Sequence, residues 1–217
     1  LDMRRFTWSK VEEISEALMH LLGTILTIME EKIDYFDSEG KQNTMKVIEL
    51  VKERLNRLND IKYVVVASAS GESALLVSDA LKDMDVTIIN VTHHAGFSGP
   101  NTLDISDEML DKLEENGIYT FVGSHALSGV GRGITNKFGG INPSDIIAET
   151  LRMFSHGIKV CAEISIMVSD AGLVPVGEEI IAIGGRKQGF DSACVLTPAN
   201  MTNVFDIRFQ EIIAMPR

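Results

Sequence analysis

The sequence contains few cysteines and no long apolar run, and these absences exclude several classes of protein. Its two cysteines, Cys161 and Cys194, form no CxxC pair, so a zinc finger or a redox dithiol is not expected. No stretch reaches the roughly 18 uncharged apolar residues of a membrane span. The first residues lack the apolar core and cleavage site of a signal peptide. We therefore expect a cytoplasmic protein with no membrane partner.

Positive charge is also scarce. The 217 residues include 20 Lys and Arg against 31 Asp and Glu, which gives a formal net charge of -11. An acidic surface repels phosphate backbones, so a nucleic-acid partner is not expected. Hydrophobic residues make up 45% of the chain and charged residues 24%, which is typical of a globular protein with a sizeable core.

Several motifs that carry chemistry are missing. The chain has no Walker A loop, no HExxH and no GxSxG. The segment GVGRG at 129–133 departs from the GxGxxG spacing because position 134 is Ile. We interpret this segment either as a flexible glycine turn or as a turn in which Arg132, together with the nearby Lys137, neutralises an anion. The histidines are expected to have structural or ligand-polar roles, with no bound metal.

Alternating apolar runs and helical periodicities predict an α/β fold. We expect a three-layer, mostly parallel sheet with helices on both faces, and antiparallel edge strands near the C-terminus. The predicted helices cover 44–58, 71–82, 106–116 and a segment capped by Asn142 that ends before Gly157, while 123–140 is poorly periodic. Strands are predicted at 32–36, 62–67, 85–92, 118–123, 159–168, 178–185, 192–198 and 211–216.

The N-terminal segment is expected to lie outside this pattern. Ser9 with Glu12 fits a capping box, and an apolar stripe follows, so a helix is predicted over 9–31. We therefore divide the chain into a helical extension, 1–31, and a single α/β domain, 32–217. The stripe would pack either on its own domain or against another subunit, so a homo-oligomer is a possible assembly.

Small and polar residues follow almost every predicted strand. In an open α/β sheet, ligands bind outside the carboxyl ends of the strands, so these segments predict a ligand crevice. The segments are SASG at 68–71, HHAG at 93–96, GSH at 123–125, SDAG at 169–172 and GGRK at 184–187.

The loop from Ser68 to Ser73 has the composition of a phosphate site. A helix N-terminus offers unpaired N–H groups, Gly71 allows close approach of the backbone, and the serines add hydroxyl donors. A serine-rich helix cap is the alternative interpretation. Glu163 is unusual because it interrupts the apolar run at 159–168, where a carboxylate needs partners. It would bond either to a ligand or to a neighbouring loop, and Asp170 would face the same crevice.

The stretch VVVASASGESALLVSDALKDMDVTIINVT resembles the C-terminal domain of pyruvate kinase, in which a Ser/Thr-Gly-Ser loop holds a phosphate of a sugar bisphosphate effector. Glu72 departs from that pattern. Residues 32–217 are more similar to a family of stand-alone, mostly archaeal proteins with a pyruvate kinase alpha/beta-like domain. The matching stretches are KIDYFDSEGKQNT, VVVASASG, THHAGF, SHALSGVGRGITNKFGG, HGIKVCAEISIMVSDAG, IIAIGGRKQGFDSACVLTPANMTNVFD and EIIAMPR.

This resemblance implies a crevice that holds flavin mononucleotide (FMN), with its phosphate on the Ser68–Ser73 loop. It also implies that pyruvate kinase activity is absent, because that chemistry belongs to a separate (β/α)₈ barrel of roughly 250 residues. The expected binding residues are Ser68, Ala69, Ser70, Gly71, Ser73, His94, Gly96, Phe97, Ser124, His125, Ser128, Glu163, Asp170, Gly185 and Arg186.

Three functions remain open at this point. The first is a module that binds a phosphorylated small molecule, with FMN the favoured ligand. The second is an enzyme, either a flavin-dependent oxidoreductase or a hydrolase of a phosphorylated metabolite, in which Glu163, Asp170 or His125 supplies acid–base groups. The third is a structural role in which the N-terminal helix either mediates oligomerisation or docks a partner.

Overall fold

The computed structural model describes residues 32–58 and 60–217, and these fold around a seven-stranded sheet. Residues Ile33–Arg217 cluster as a single unit. The helix predicted over 9–31 lies outside the described residues. Within the described ranges, no helix is long and apolar enough to cross a membrane.

The sheet is mixed, with the strand order β1-β7-β6-β5-β2-β3-β4. All neighbouring strands are parallel except for the two pairings of β6, which runs antiparallel to β5 and to β7. The strands are β1 (Asp34–Phe36), β2 (Tyr63–Ala67), β3 (Thr87–His93), β4 (Tyr119–Gly123), β5 (Ile180–Gly184), β6 (Ser192–Thr197) and β7 (Arg208–Pro216).

The described helices cover both faces of this sheet. They are α1 (Thr44–Leu58), α2 (Glu72–Leu81), α3 (Asp107–Glu115), α4 (Gly129–Phe138), α5 (Pro143–Arg152) and α6 (His156–Asp170). Apolar residues of α1, α2 and α3 form one core with one face of the sheet. Those of α6 form a second core with the other face, and α5 packs on α6. The predicted three-layer fold is therefore confirmed.

Most predicted elements agree with the structure to within a few residues, and the antiparallel pairing near the C-terminus is confirmed. The outermost strand on that side of the sheet is β1, which pairs in parallel with β7. The predicted start of α5 is also confirmed, because Asn142 and Asp145 form a capping box around Pro143.

The strand predicted at 159–168 is wrong, because this segment is the middle of helix α6. Helix α6 buries nearly all of its residues between the sheet and α5, so apolar residues occur on every side of it. A helix buried all round has no helical periodicity and resembles a continuous buried strand. The corrected element runs from the carboxyl edge of β5 back towards its amino edge, since β5 follows it along the chain.

The glycine-rich segment 123–140 also differs from the prediction, because most of it forms helix α4. Three glycines, at 129, 131 and 133, lie in its first half and lower its intrinsic helix propensity. No residue of α4 is buried, so no buried apolar face revealed the helix in the sequence.

Candidate ligand-binding cavity

A cavity of about 840 Å³ lies at the carboxyl ends of strands β2 and β3 and beside the loop that follows β5. Strand β2 lies between β3 and β5, and the chain leaves it through α2 on one face of the sheet while α6 covers the other. A crevice at such a point is the usual ligand site of an open α/β sheet.

The N-termini of three helices meet at this cavity. Thr44 at the start of α1, Glu72 at the start of α2 and His156 at the start of α6 all line it. The first N–H groups of α2 and α6 have no partner within their helices and carry partial positive charge, whereas the Thr44 N–H of α1 donates to the carbonyl of Lys41. Together, the free amides of α2 and α6 and the dipoles of all three helices favour a bound anion.

Basic side chains also outnumber acidic ones around the cavity, although the whole chain has a net charge of -11. The five basic residues are Lys41, Arg132, Arg152, Lys159 and Lys187, and the three acidic residues are Glu72, Asp104 and Glu163. Lys159 is paired with Glu163 and Arg152 with Glu149. The remaining three cations make no ion pair with a described residue, so they can neutralise a ligand.

The loop at 68–73 is held in position beside the cavity by the packing around Gly71 and by hydrogen bonds to β3. Gly71 has a φ of 85°, and a Cβ added there would lie 2.6 Å from the Cγ of Met109, so the close packing of α2 on α3 requires glycine. The loop is fixed to β3, because the Ser68 N–H donates to the Val91 carbonyl (3.1 Å) and the Thr92 hydroxyl donates to the Ala69 carbonyl (2.6 Å).

The serine hydroxyls of this loop remain available. Ser68, Ser70 and Ser73 line the cavity, and their side chains make no hydrogen bond with any described residue. No carbonyl in the described ranges accepts the N–H groups of Glu72 and Ser73. The loop therefore presents hydroxyl and amide donors together, as a bound phosphate requires.

A buried ion pair forms part of the cavity wall. The Lys159 Nζ lies 2.5 Å from Oε2 of Glu163, one helical turn away, and Oε1 of Glu163 accepts the N–H of Leu127 (3.0 Å). Burial lowers the pKa of Lys159 in spite of its acidic partner. Both carboxylate oxygens of Glu163 are thus occupied, and one of them caps the loop that leads into α4. This is one of the two roles predicted for Glu163.

Three histidines and one phenylalanine cluster at the ends of β3 and β4. The His93 Nδ1 lies 2.6 Å from Oδ2 of Asp104, and the His93 ring packs on Phe97 with 3.9 Å between ring centroids. The His125 ring lies 5.1 Å from that of His93. Burial lowers the pKa of His125 to about 4, so this ring is neutral near pH 7. The third histidine, His94, meets Phe97 edge-on.

The wall on the side of β5 is fixed by Asp191, which is fully buried. Its carboxylate accepts the N–H of Gly40 (3.0 Å) and the hydroxyl of Ser192 (3.0 Å), and burial raises its pKa. Ser192 in turn meets Ser155, the N-cap of α6. These bonds tie together the segments that precede α1, α6 and β6.

The structure brings about half of the predicted binding residues to the cavity. Those that line it are Ser68, Ala69, Ser70, Ser73, Phe97, His125, Glu163 and Gly185. Those that do not line it are Gly71, His94, Gly96, Ser124, Ser128, Asp170 and Arg186. Gly71 still determines the backbone conformation of the loop at 68–73. Arg186 is exposed, and its side chain donates to Glu39 at 2.8 Å.

The predicted position of Asp170 in the crevice is wrong. Because 159–168 is helical, Asp170 is the last residue of α6 rather than a residue beyond a strand end. Its carboxylate accepts the N–H of Met201 (3.1 Å) and the side-chain amide of Asn200 (2.9 Å). Asp170 therefore anchors the 3₁₀ turn Met201–Asp206, at the end of α6 remote from the cavity.

The prediction missed several residues that line the cavity, among them Thr92, Asp104, Arg152, His156 and Lys159. Arg152 lies on α5, and His156 and Lys159 lie on α6, so their positions at the cavity depend on the course of these two helices. The four-residue spacing of Lys159 and Glu163 was a signal for that helix, because such pairs face each other only on a helical surface. Among the described residues, no group of three His, Cys, Asp or Glu side chains could hold a metal ion.

The fold and the cavity together define a three-layer α/β domain with a cation-rich crevice at its strand ends. The family described as "Pyruvate kinase, alpha/beta domain" matches residues 45–196, which is most of the chain. The chain belongs to this family, and the predicted resemblance to the pyruvate kinase C-terminal domain is confirmed.

A crystal structure of Cryptosporidium parvum pyruvate kinase is among the solved structures that the chain matches, at 15% sequence identity and a TM-score of 0.33. The match covers 78% of this chain and 24% of that enzyme. The chain therefore spans about a quarter of the length of the enzyme that it matches.

Proposed function

We propose that the cavity binds a phosphorylated small molecule, and that FMN is the best candidate. The observation that carries the proposal is the convergence of three helix N-termini and an excess of basic side chains on one cavity of a strongly acidic chain. Both features stabilise a bound anion, and basic side chains are scarce in the chain as a whole.

The phosphate of the ligand would bind at the loop 68–73. The free hydroxyls of Ser70 and Ser73 and the first amides of α2 supply donors there, and Arg132 from α4 supplies positive charge. Glu72, in the first turn of α2, opposes a phosphate electrostatically. Its exposed side chain keeps this repulsion small, because solvent screens it.

The remainder of the cavity suits a planar ring. Phe97, His93 and His125 offer ring faces, and Ile164 and Met167 offer apolar surface. The volume of 840 Å³ lies within the range of about 300–1,000 Å³ found for small-molecule sites. Bound FMN would supply redox chemistry, while the chain supplies binding and orientation.

The alternative function, an enzyme that uses Glu163, Asp170 or His125 as its acid–base group, has less support. Asp170 anchors a distant turn, and both oxygens of Glu163 are occupied within the protein. His125 lines the cavity as a neutral ring near pH 7. A role in acid–base chemistry would therefore need a different residue.

The proposal is tested by the visible spectrum of the purified full chain after incubation with FMN and dialysis into FMN-free buffer. We expect a retained flavin spectrum and a raised melting temperature. We expect both to be lost in the Ser68→Ala/Ser70→Ala variant and kept in Ser124→Ala, whose serine does not line the cavity. Colourless protein whose melting temperature is unchanged by FMN would reject FMN as the ligand.

A further inference from the structure

Three histidines, His93, His94 and His125, cluster at the ends of β3 and β4. Among them, His93 is the one whose ring bonds to a carboxylate in the described structure. It is the last residue of β3, and Asp104 lies in the loop that returns towards α3. The two side chains keep 28% and 17% of their surface exposed, and both line the cavity. The pair therefore lies where a bound ligand would be.

The bond to Asp104 determines which nitrogen of His93 carries the proton. Hydrogen bonds from Ser98 and from His93 hold the pKa of Asp104 below its usual range, so its carboxylate is ionised and can only accept. The His93 Nδ1 must therefore donate. In the neutral ring this leaves Nε2 with a free lone pair, which is the form of a histidine that can take up a proton.

The orientation of the His93 ring is also fixed by its neighbours. Phe97 packs on it at 3.9 Å and His125 at 5.1 Å, both tilted to its plane. His93 is thus a potential base whose ring is held by a carboxylate at the wall of a cavity, which is the arrangement of general acid–base sites. Metal ligation does not account for it, because the described residues hold no cluster of three possible ligands.

We propose that His93 and Asp104 form an acid–base dyad that transfers a proton to or from the phosphorylated ligand in the cavity. His93 Nε2 accepts a proton from an O–H or N–H group of the ligand, or from a water molecule beside it, and returns it from the imidazolium. Asp104 is the positioning residue and stays ionised throughout. The proposal rests on the proposed function, and it makes the cavity an active site rather than a passive binding site.

The dyad itself is tested without ligand. In ¹⁵N-labelled protein, we expect the neutral His93 ring to show a protonated Nδ1 and an unprotonated Nε2, with a downfield Nδ1–H signal that is lost in Asp104→Asn. The matched control is Asp107→Asn, since Asp107 lies nearby in the first turn of α3 and does not line the cavity. A neutral His93 that carries its proton on Nε2, or a signal that survives Asp104→Asn, overturns the proposal.

Contact with the ligand is tested by acylation with diethyl pyrocarbonate, which reacts with unprotonated imidazole nitrogens. In a His94→Asn background, modification of the peptide that contains residue 93 reports His93 alone. We expect saturating FMN, whose binding is followed by its fluorescence, to slow this modification at least about tenfold, and a His93→Asn background to show no such protection of His94. An unchanged rate at His93 while FMN is bound overturns the dyad.

Failure of the proposed function would give a different result. If FMN does not bind, its fluorescence is unchanged by the protein, and FMN is rejected as the ligand. The dyad is then decided by the ligand-free nitrogen spectrum alone, which supports or overturns it independently of FMN.

Discussion

Lys159 and Glu163 form an ion pair one turn apart on helix α6, and their side chains are only 5% and 2% exposed. The pair lies in the wall of the cavity, and Glu163 also holds the loop that leads into α4. It thus connects the buried core of the domain to the segment that carries Arg132.

We expect Glu163→Gln to destabilise the fold by about 3–5 kcal/mol, because it leaves the buried ammonium of Lys159 without a counter-charge. Chemical denaturation measures the free energy of unfolding. Glu39→Gln is the control, because it breaks the exposed pair with Arg186 and should cost less than about 1 kcal/mol. Equal losses in the two variants would contradict the structural role of the buried pair.

The buried ring of His125 predicts a loss of stability in acid. Burial lowers its pKa from 6.5 to about 4, partly offset by the charge of Glu163. Between these values the unfolded chain binds a proton that the folded protein does not, so stability falls as the pH falls from about 6.5 to about 4. Urea denaturation across this range should show a shallower fall for His125→Gln than for the wild type. Parallel curves for the two proteins would refute the prediction.

Gly71 and Gly117 provide a matched pair of glycines with positive φ, 85° and 71°. Alanine at either position incurs backbone strain of roughly 1–2 kcal/mol. At Gly71 the new Cβ would also lie 2.6 Å from Met109 and 3.0 Å from Leu113, whereas nothing lies within 4 Å at Gly117. Gly71→Ala should therefore lose about 1–3 kcal/mol more stability than Gly117→Ala. Equal melting temperatures for the two variants would be inconsistent with this packing.

Asp170 should matter for stability and not for the ligand. Asp170→Ala removes the acceptor for the N–H of Met201 and should cost about 0.5–2 kcal/mol, as the loss of a helix cap does. Ser70→Ala should show the opposite pattern, with weaker FMN binding and little change in stability. Titration of both variants with FMN, beside their unfolding curves, tests this. A loss of FMN affinity in Asp170→Ala would restore the residue to the site.

The sequence was a good guide to the serine loop and a poor one to the wall opposite it. Strand β2 is a short apolar run that stops at Ser68, so both the strand and the polar loop could be predicted. Helix α6 could not be recognised by periodicity, because it is apolar on all sides, and Asp170 was misplaced with it. The pairing of His93 with Asp104 depends on how the intervening loop folds back, which no local pattern encodes.

The central claim is that the cavity recognises the phosphate of its ligand, and a comparison of FMN with riboflavin tests it most directly. The two molecules differ only in that phosphate, and one charge-assisted hydrogen bond contributes about 1.5–3 kcal/mol. Fluorescence titration should therefore show FMN binding at least about tenfold more tightly than riboflavin, with the difference reduced by Ser70→Ala/Ser73→Ala and by Arg132→Gln. Riboflavin binding as tightly as FMN, or an FMN affinity unchanged by these substitutions, would contradict the account.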